Sequence, residues 1–206
     1  NIINITIMIS HKYKFIFIHI PKTAGNSLSI LLKDISDDKV INYTNFCSVP
    51  KNDIDIKCKI TNKSIKHENI QYYRKIYDCK IDSYFKFTVI RNPYDRSLSY
   101  YYYFYNDKKD EKFNKQQFIM FLNTKGKLQA QYTFIDDSFH IVKYENLIDE
   151  LKNMKYFSSI IDFDNLTKSN VSYNSKLNYN DILDEECKNI IYTLYKKDFD
   201  IFGYKR

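Results

Sequence analysis

Residues 13–32 read YKFIFIHIPKTAGNSLSILL, and this stretch decides the fold. From Phe15 to Ile20 every residue except His19 is apolar. A strand in the middle of a parallel sheet is buried on both faces and needs that composition, whereas a half-exposed edge strand alternates. Pro21 ends the strand. Gly25 suits a backbone turn that side chains resist, and Asn26 and Ser27 carry oxygens able to cap a helix whose Leu28, Leu31 and Leu32 face the sheet. A strand running into a helix N-terminus aims backbone N–H groups and a positive dipole end at one spot, which makes an anion site. Lys22 adds a full charge there.

The nucleotide-triphosphate P-loop places its lysine after the last glycine; here Lys22 comes first, directly after the strand, and the opening glycine is missing. Thr23 follows Lys22, but a kinase would also require a magnesium-binding carboxylate, so that reading is weak. Working outward, Tyr84–Tyr105 reads YFKFTVIRNPYDRSLSYYYYFY. Phe85–Ile90 predicts a second buried strand, Asn92 an N-cap and Pro93 the first residue of a helix. Arg91 then stands at the strand end and Ser99 about two turns into the helix, so both can face one side of the junction and clamp a phosphate. Bland alternatives stand beside these roles. Arg91 can pair with Asp95, Ser99 can be a small packing residue, and Arg96 reads as structural, turned away from Arg91.

The order His-Ile-Pro-Lys-Thr-Ala-Gly-Asn-Ser-Leu at 19–28 resembles the 5′-phosphosulfate loop of carbohydrate-type sulfotransferases. Arg-Asn-Pro-Tyr-Asp-Arg-x-x-Ser-x-Tyr, from Arg91, is similar to the 3′-phosphate motif of the same enzymes, which bind 3′-phosphoadenosine 5′-phosphosulfate (PAPS). Further pieces also look like bacterial-type members: Lys66-His67, Phe85-Lys86-Phe87, Gln131–Asn146 with Lys-Tyr-Glu-Asn-Leu, and Tyr195–Tyr204 (YKKDFDIFGY). The resemblance implies an α/β fold with a central parallel sheet flanked by helices, P-loop-like, in one domain over 1–206, with 1–12 as a flexible or edge segment. It implies that Lys22, Thr23, Ala24, Gly25, Asn26 and Ser27 hold the 5′-phosphosulfate and that Arg91 and Ser99 hold the 3′-phosphate. It also implies PAPS as donor co-substrate and a hydroxyl acceptor, most simply a carbohydrate. No metal is expected, since no aspartate-rich site flanks the loop.

Sulfuryl transfer, like phosphoryl transfer, rests on alignment and charge stabilisation. Lys22 is therefore the first catalytic candidate, set to neutralise the leaving phosphate. The acceptor hydroxyl must lose a proton, and His67, Glu68 and His140 are the candidate bases in that order. His67 reads equally well as a capping or surface histidine, and His19, inside a strand, as a core residue.

At 206 residues the chain is long enough for one full hydrophobic core. Lys, Ile, Asn and Tyr are heavily used, while Gly and Pro occur three times each and arginine four times. Against that bias the placement of Pro21, Gly25, Arg91, Pro93 and Arg96 inside the two motifs is informative. The net charge of +7 fits an anionic ligand, a nucleic acid or a membrane surface. The lysines are scattered rather than striped, which argues against nucleic acid as a partner. A non-catalytic phosphate- or nucleic-acid-binding protein that keeps the anion loop is the competing reading. Cys47, Cys58, Cys79 and Cys187 show neither CxxC pairing nor metal-ligand spacing. No run is long enough to span a bilayer, and NIINITIMIS lacks a basic leader and a cleavage site. A cytoplasmic location is expected on that basis, or the Golgi lumen if the N-terminus is trimmed.

The rest of the chain carries less. A short strand is expected at Lys39–Tyr43, a long loop at Thr44–Lys66, an amphipathic helix at His67–Tyr77 and helices at Phe113–Leu122 and Asn146–Met154. A strand is expected at Phe139–Lys143, loop at Ser158–Asn180 and a last helix at Asp181–Lys196. Substrate-facing loops of this kind carry no readable code for the acceptor.

Overall fold

The computed structural model describes residues 4–5, 8–37, 41–42, 67–105, 113–124, 126–161 and 178–206. Its strands are β1 (Asn4–Ile5), β2 (Met8–Ser10), β3 (Phe15–Ile18), β4 (Ile41–Asn42), β5 (Phe85–Ile90) and β6 (Phe139–Lys143). Its helices are α1 (Gly25–Leu32), α2 (Ile70–Tyr77), α3 (Pro93–Phe104), α4 (Lys115–Asn123), α5 (Leu147–Lys152), α6 (Tyr179–Ile182) and α7 (Glu185–Phe202). The main sheet has the order β2-β3-β5-β6. β3, β5 and β6 are parallel, and β2 is an antiparallel edge. Met8–Ser10 supplies that edge strand, while β1 pairs with β4 in a separate two-stranded ladder.

Both faces of the sheet are covered, which is why its inner strands are apolar throughout. On one face Phe15, Phe17, Phe87, Val89 and Val142 pack against Leu28 and Leu32 of α1, Leu151 of α5 and Phe157. The alternate residues Ile16, Ile18, Ile90 and Phe139 meet Ile70 and Tyr73 of α2 and Phe202 of α7 on the other. Beyond the sheet, α3, α4 and α7 share a third core built on Tyr94, Leu98, Tyr101, Phe118, Phe121, Cys187, Ile191 and Phe199. The chain is a single α/β domain.

Three boundaries differ from the expectation. β3 stops at Ile18, where the ladder ends on the Ile18–Thr88 pair. The Ile18 carbonyl also accepts from the Thr88 hydroxyl at 2.7 Å, and the Ile20 carbonyl is taken by Thr23. The last helix begins later and ends later than Asp181–Lys196. Asp184 caps it by accepting from the Cys187 N–H at 3.0 Å, and the buried Phe199 and Phe202 carry its apolar stripe to Gly203, whose φ of 66° ends it. His67 precedes α2 rather than lying in it. The expected loop at Thr44–Lys66 and most of Ser158–Asn180 lie outside the described residues; within the latter, Tyr179 and Asn180 open α6. Among the described residues no helix is long and apolar enough to cross a membrane.

Because β3, β5 and β6 run the same way, the segments after Ile18, Ile90 and Lys143 emerge at one edge of the sheet. In open α/β sheets that edge is where ligands sit.

Candidate active site

The first loop is shaped by its backbone. Lys22 and Ala24 both hold left-handed conformations, with φ of 69° and 68°, which non-glycine residues adopt at a cost. Ala24 takes the N-cap position of α1 and supplies no side-chain cap; the opening intrahelical bond runs from the Leu28 N–H to the Ala24 carbonyl at 3.2 Å. The expected caps Asn26 and Ser27 instead lie within the first turn of α1. The N-cap residue itself therefore contributes no side-chain acceptor at this helix end.

Gly25 has a different purpose from the one its neighbours suggested. Its φ is not positive; a Cβ there would lie 1.8 Å from the His19 ring. Close approach, not turn geometry, demands glycine. Thr23 is fully buried and its hydroxyl donates to the Ile20 carbonyl at 2.8 Å, so its side chain ties the loop to the strand end.

The second loop meets the first directly. The Arg91 guanidinium donates from Nη1 to the Lys22 carbonyl at 3.2 Å and from Nε to Asp95 at 2.7 Å, the ion pair with Asp95 foreseen above. Arg96, 2 % exposed, donates from Nε to the Pro21 carbonyl at 3.0 Å and from both terminal nitrogens to the Gln129 carbonyl at 3.1 Å. Burial pulls its pKa down to about 10, a fall that Asp198 opposes, so it stays cationic at neutral pH. Its role is structural as expected, and it is exercised on the first loop. Ser99 is buried on α3, one turn before Tyr103, whose ring lies 4.0 Å from the Lys22 ammonium.

His67 stands at the root of the first loop. Its Nδ1 is 2.9 Å from the His19 carbonyl, and its ring meets the His19 ring edge to face at 4.6 Å. A carbonyl only accepts, so Nδ1 carries the proton and the neutral ring has its lone pair on Nε2. His19 is buried at 5 % exposure, the core position expected of it. His140 is exposed and pairs with Phe87, three residues short of the end of β5, which sets it away from the edge where the loops meet. Glu68 is half-buried beside His67.

The model of the sulfotransferase family matches residues 6–155, which contain both loops and all three parallel strands. The chain belongs to the sulfotransferase family. No curated protein and no solved structure matches it.

The sulfotransferase motif around Arg91 is held by residues whose function the sequence did not reveal. Gln131, fully buried, pairs with both main-chain groups of Arg91, accepting from its N–H at 2.9 Å and donating to its carbonyl at 2.8 Å. Asp198, fully buried on α7, accepts from the N–H groups of Gln131 at 2.8 Å and Tyr132 at 3.0 Å. Burial raises its pKa, and those two bonds act against the rise. Glu145 accepts from the Asn92 N–H at 2.7 Å and from the Tyr204 hydroxyl at 3.0 Å. Burial and the neighbouring Glu145 push the Tyr204 hydroxyl far above its ordinary pKa, so it remains a donor. The Gln131–Asn146 and Tyr195–Tyr204 segments matched the family by likeness alone, and nothing in their local pattern marks Gln131, Glu145 or Asp198 among the polar residues around them.

Proposed function

We propose that the protein transfers a sulfuryl group from PAPS to a hydroxyl of an acceptor, most simply a carbohydrate. The contact that carries this reading is the hydrogen bond from Arg91 to the Lys22 carbonyl, which brings the two phosphate motifs together at the sheet edge. The donor set suits two anionic groups. Arg91 keeps N–H donors beyond those given to Asp95 and Lys22, Ser99 adds a hydroxyl, and Lys22 stands at the mouth of the turn into α1.

In this reading the main chain of Thr23, Ala24, Gly25, Asn26 and Ser27 holds the 5′-phosphosulfate, and Arg91 with Ser99 holds the 3′-phosphate. PAPS supplies the SO3 unit: its S–O bond to the phosphate breaks with the electron pair passing to the 5′-phosphate oxygen, and a new S–O bond forms to the acceptor. Lys22 stabilises the charge that accumulates on that phosphate. His67 takes the acceptor proton on Nε2, while its Nδ1–H stays on the His19 carbonyl and fixes the ring.

Labelled PAPS with a panel of glycans tests the proposal, with labelled sulfate expected on a sugar hydroxyl. His67→Ala should lower turnover steeply while leaving the affinity for 3′-phosphoadenosine 5′-phosphate (PAP) unchanged. Tight PAP binding with no transfer to any acceptor would favour the non-catalytic binding protein instead.

A further inference from the structure

Both cations of the proposed donor site rest on tyrosine rings. Lys22 Nζ lies 4.0 Å from the centre of the Tyr103 ring, and Arg91 Cζ lies 4.1 Å from that of Tyr144. The two rings come from unrelated places, the last turn of α3 and the segment just after β6. Tyr103 is 61 % exposed, and Tyr144 is half-buried at the margin of the core that holds Phe87 and Val142. The contrast with Tyr101 is direct, since that ring is buried among Phe113, Phe118 and Phe121. An exposed aromatic carries a hydration cost that a polar residue would avoid, so its seat against the lysine needs a reason.

The negative face of an aromatic ring attracts a cation without accepting its N–H hydrogen bonds. A cation held this way spends no N–H on the contact that holds it. Arg91 shows the arrangement fully: Nε goes to Asp95, one Nη1 bond to the Lys22 carbonyl, and one face to Tyr144, so that among the described contacts Nη2 stays available for an anion. A lysine side chain is long and flexible, and a ring under its ammonium limits the conformations that must be lost on binding.

We propose that Tyr103 and Tyr144 are positioning residues for the donor, each ring holding its cation, Lys22 or Arg91, in place at one end of the site for PAP or PAPS. The proposal rests on the reading of Lys22 and Arg91 as donor ligands, and two measurements separate it from that reading. In protein carrying 13C-labelled lysine, the Lys22 ε-methylene protons should be shifted upfield by the Tyr103 ring before any ligand is added. Tyr103→Leu should abolish that shift and Tyr103→Phe should keep it.

Calorimetric titration with PAP reads the consequence. Leucine at either position should weaken binding roughly three- to tenfold, the range expected for one cation–π contact, and phenylalanine should restore it to within about twofold. Thermal melting of each variant confirms that it folds, and the phenylalanine pair keeps the test valid if leucine at the half-buried Tyr144 does not. An absent upfield shift, or leucine variants that bind PAP like the wild type, would overturn the proposal. A wild-type protein that shows the shift yet ignores PAP would overturn the donor reading, and with it the purpose assigned to the seats.

Discussion

The two loops at the sheet edge are built in opposite ways. The first, from His19 to Ser27, is shaped mostly by its own residues: two left-handed backbone positions, the Thr23 hydroxyl on the Ile20 carbonyl, and a glycine pressed against a histidine six residues earlier. The second is shaped from a distance. Gln131 fixes the main chain of Arg91, Glu145 fixes Asn92, and Asp198 and Tyr204 fix those two in turn. The proposed donor site needs its two ends at a set separation, and here one end is held by its own backbone and the other by long-range bonds. The joint between them is arginine, since Arg91 and Arg96 both donate to main-chain carbonyls of the first loop.

The largest effect should come from the charge the first loop presents. Lys22→Ala should lower the rate of sulfuryl transfer by about 10²–10³, the usual loss of one charge-stabilising donor. The melting temperature should stay near that of the wild type, because the backbone and not the side chain shapes the turn. A comparable rate in the variant would remove Lys22 from the chemistry.

Gly25→Ala probes the local design. Its Cβ has no room beside the His19 ring, so the variant should lose about 1–3 kcal/mol in urea unfolding, as overpacked cores do. Adding His19→Ala should give a combined loss smaller than the sum of the two. Strict additivity would mean that the collision with His19 is not the cause.

Gln131→Ala probes the long-range design. It strips partners from both main-chain groups of Arg91 and should cost about 1–3 kcal/mol. PAP affinity should fall although Gln131 is fully buried, while the Lys22 methylene shift survives, because Gln131 bonds neither the first loop nor the α3 turn that carries Tyr103. Loss of that shift would show that the two loops are not independent in the way described.

Much of the first loop was legible because its determinants lie within the one stretch Phe15–Leu32: an apolar strand, a proline, a lysine and a helix with leucines on one face. The second strand and its cap were equally plain, and Phe85–Ile90, Asn92 and Pro93 occupy the expected positions. The supports were not legible. Gln131 and Glu145 reach the motif from 40 and 53 residues away, and no local spacing reports such a bond. Gly25 was misread for a related reason, since a glycine selected for turn conformation and one selected for close approach look the same in a sequence. The short spans after β3 and before α7 shifted because side-chain bonds from Thr23, Thr88 and Asp184 decide where those elements stop and start.

The smallest effect concerns the helix that carries Asp198 to the second loop. The cap bond from the Cys187 N–H, with Lys115 beside it, lowers the Asp184 carboxyl to about 2. A depressed carboxylate contributes stability that is present above its unfolded pKa near 3.8 and is lost as pH falls towards 2. Wild type and Asp184→Asn should therefore differ in melting temperature at pH 5 to 7, by about a degree or two, and converge as acid is added towards that value. A difference that does not change with pH would assign the effect to the cap alone.

The central claim is that two loops 69 residues apart in the chain, joined by the Arg91–Lys22 contact, grip one bis-phosphorylated adenosine. Calorimetric titration of the wild type and Arg91→Ala with PAP and with adenosine 5′-phosphate tests it most directly. The wild type should prefer PAP by roughly tenfold or more, the worth of a charge-assisted pair, and Arg91→Ala should erase that preference while binding adenosine 5′-phosphate about as before. No PAP binding by the wild type, or an equal loss for both ligands in the variant, would contradict the account.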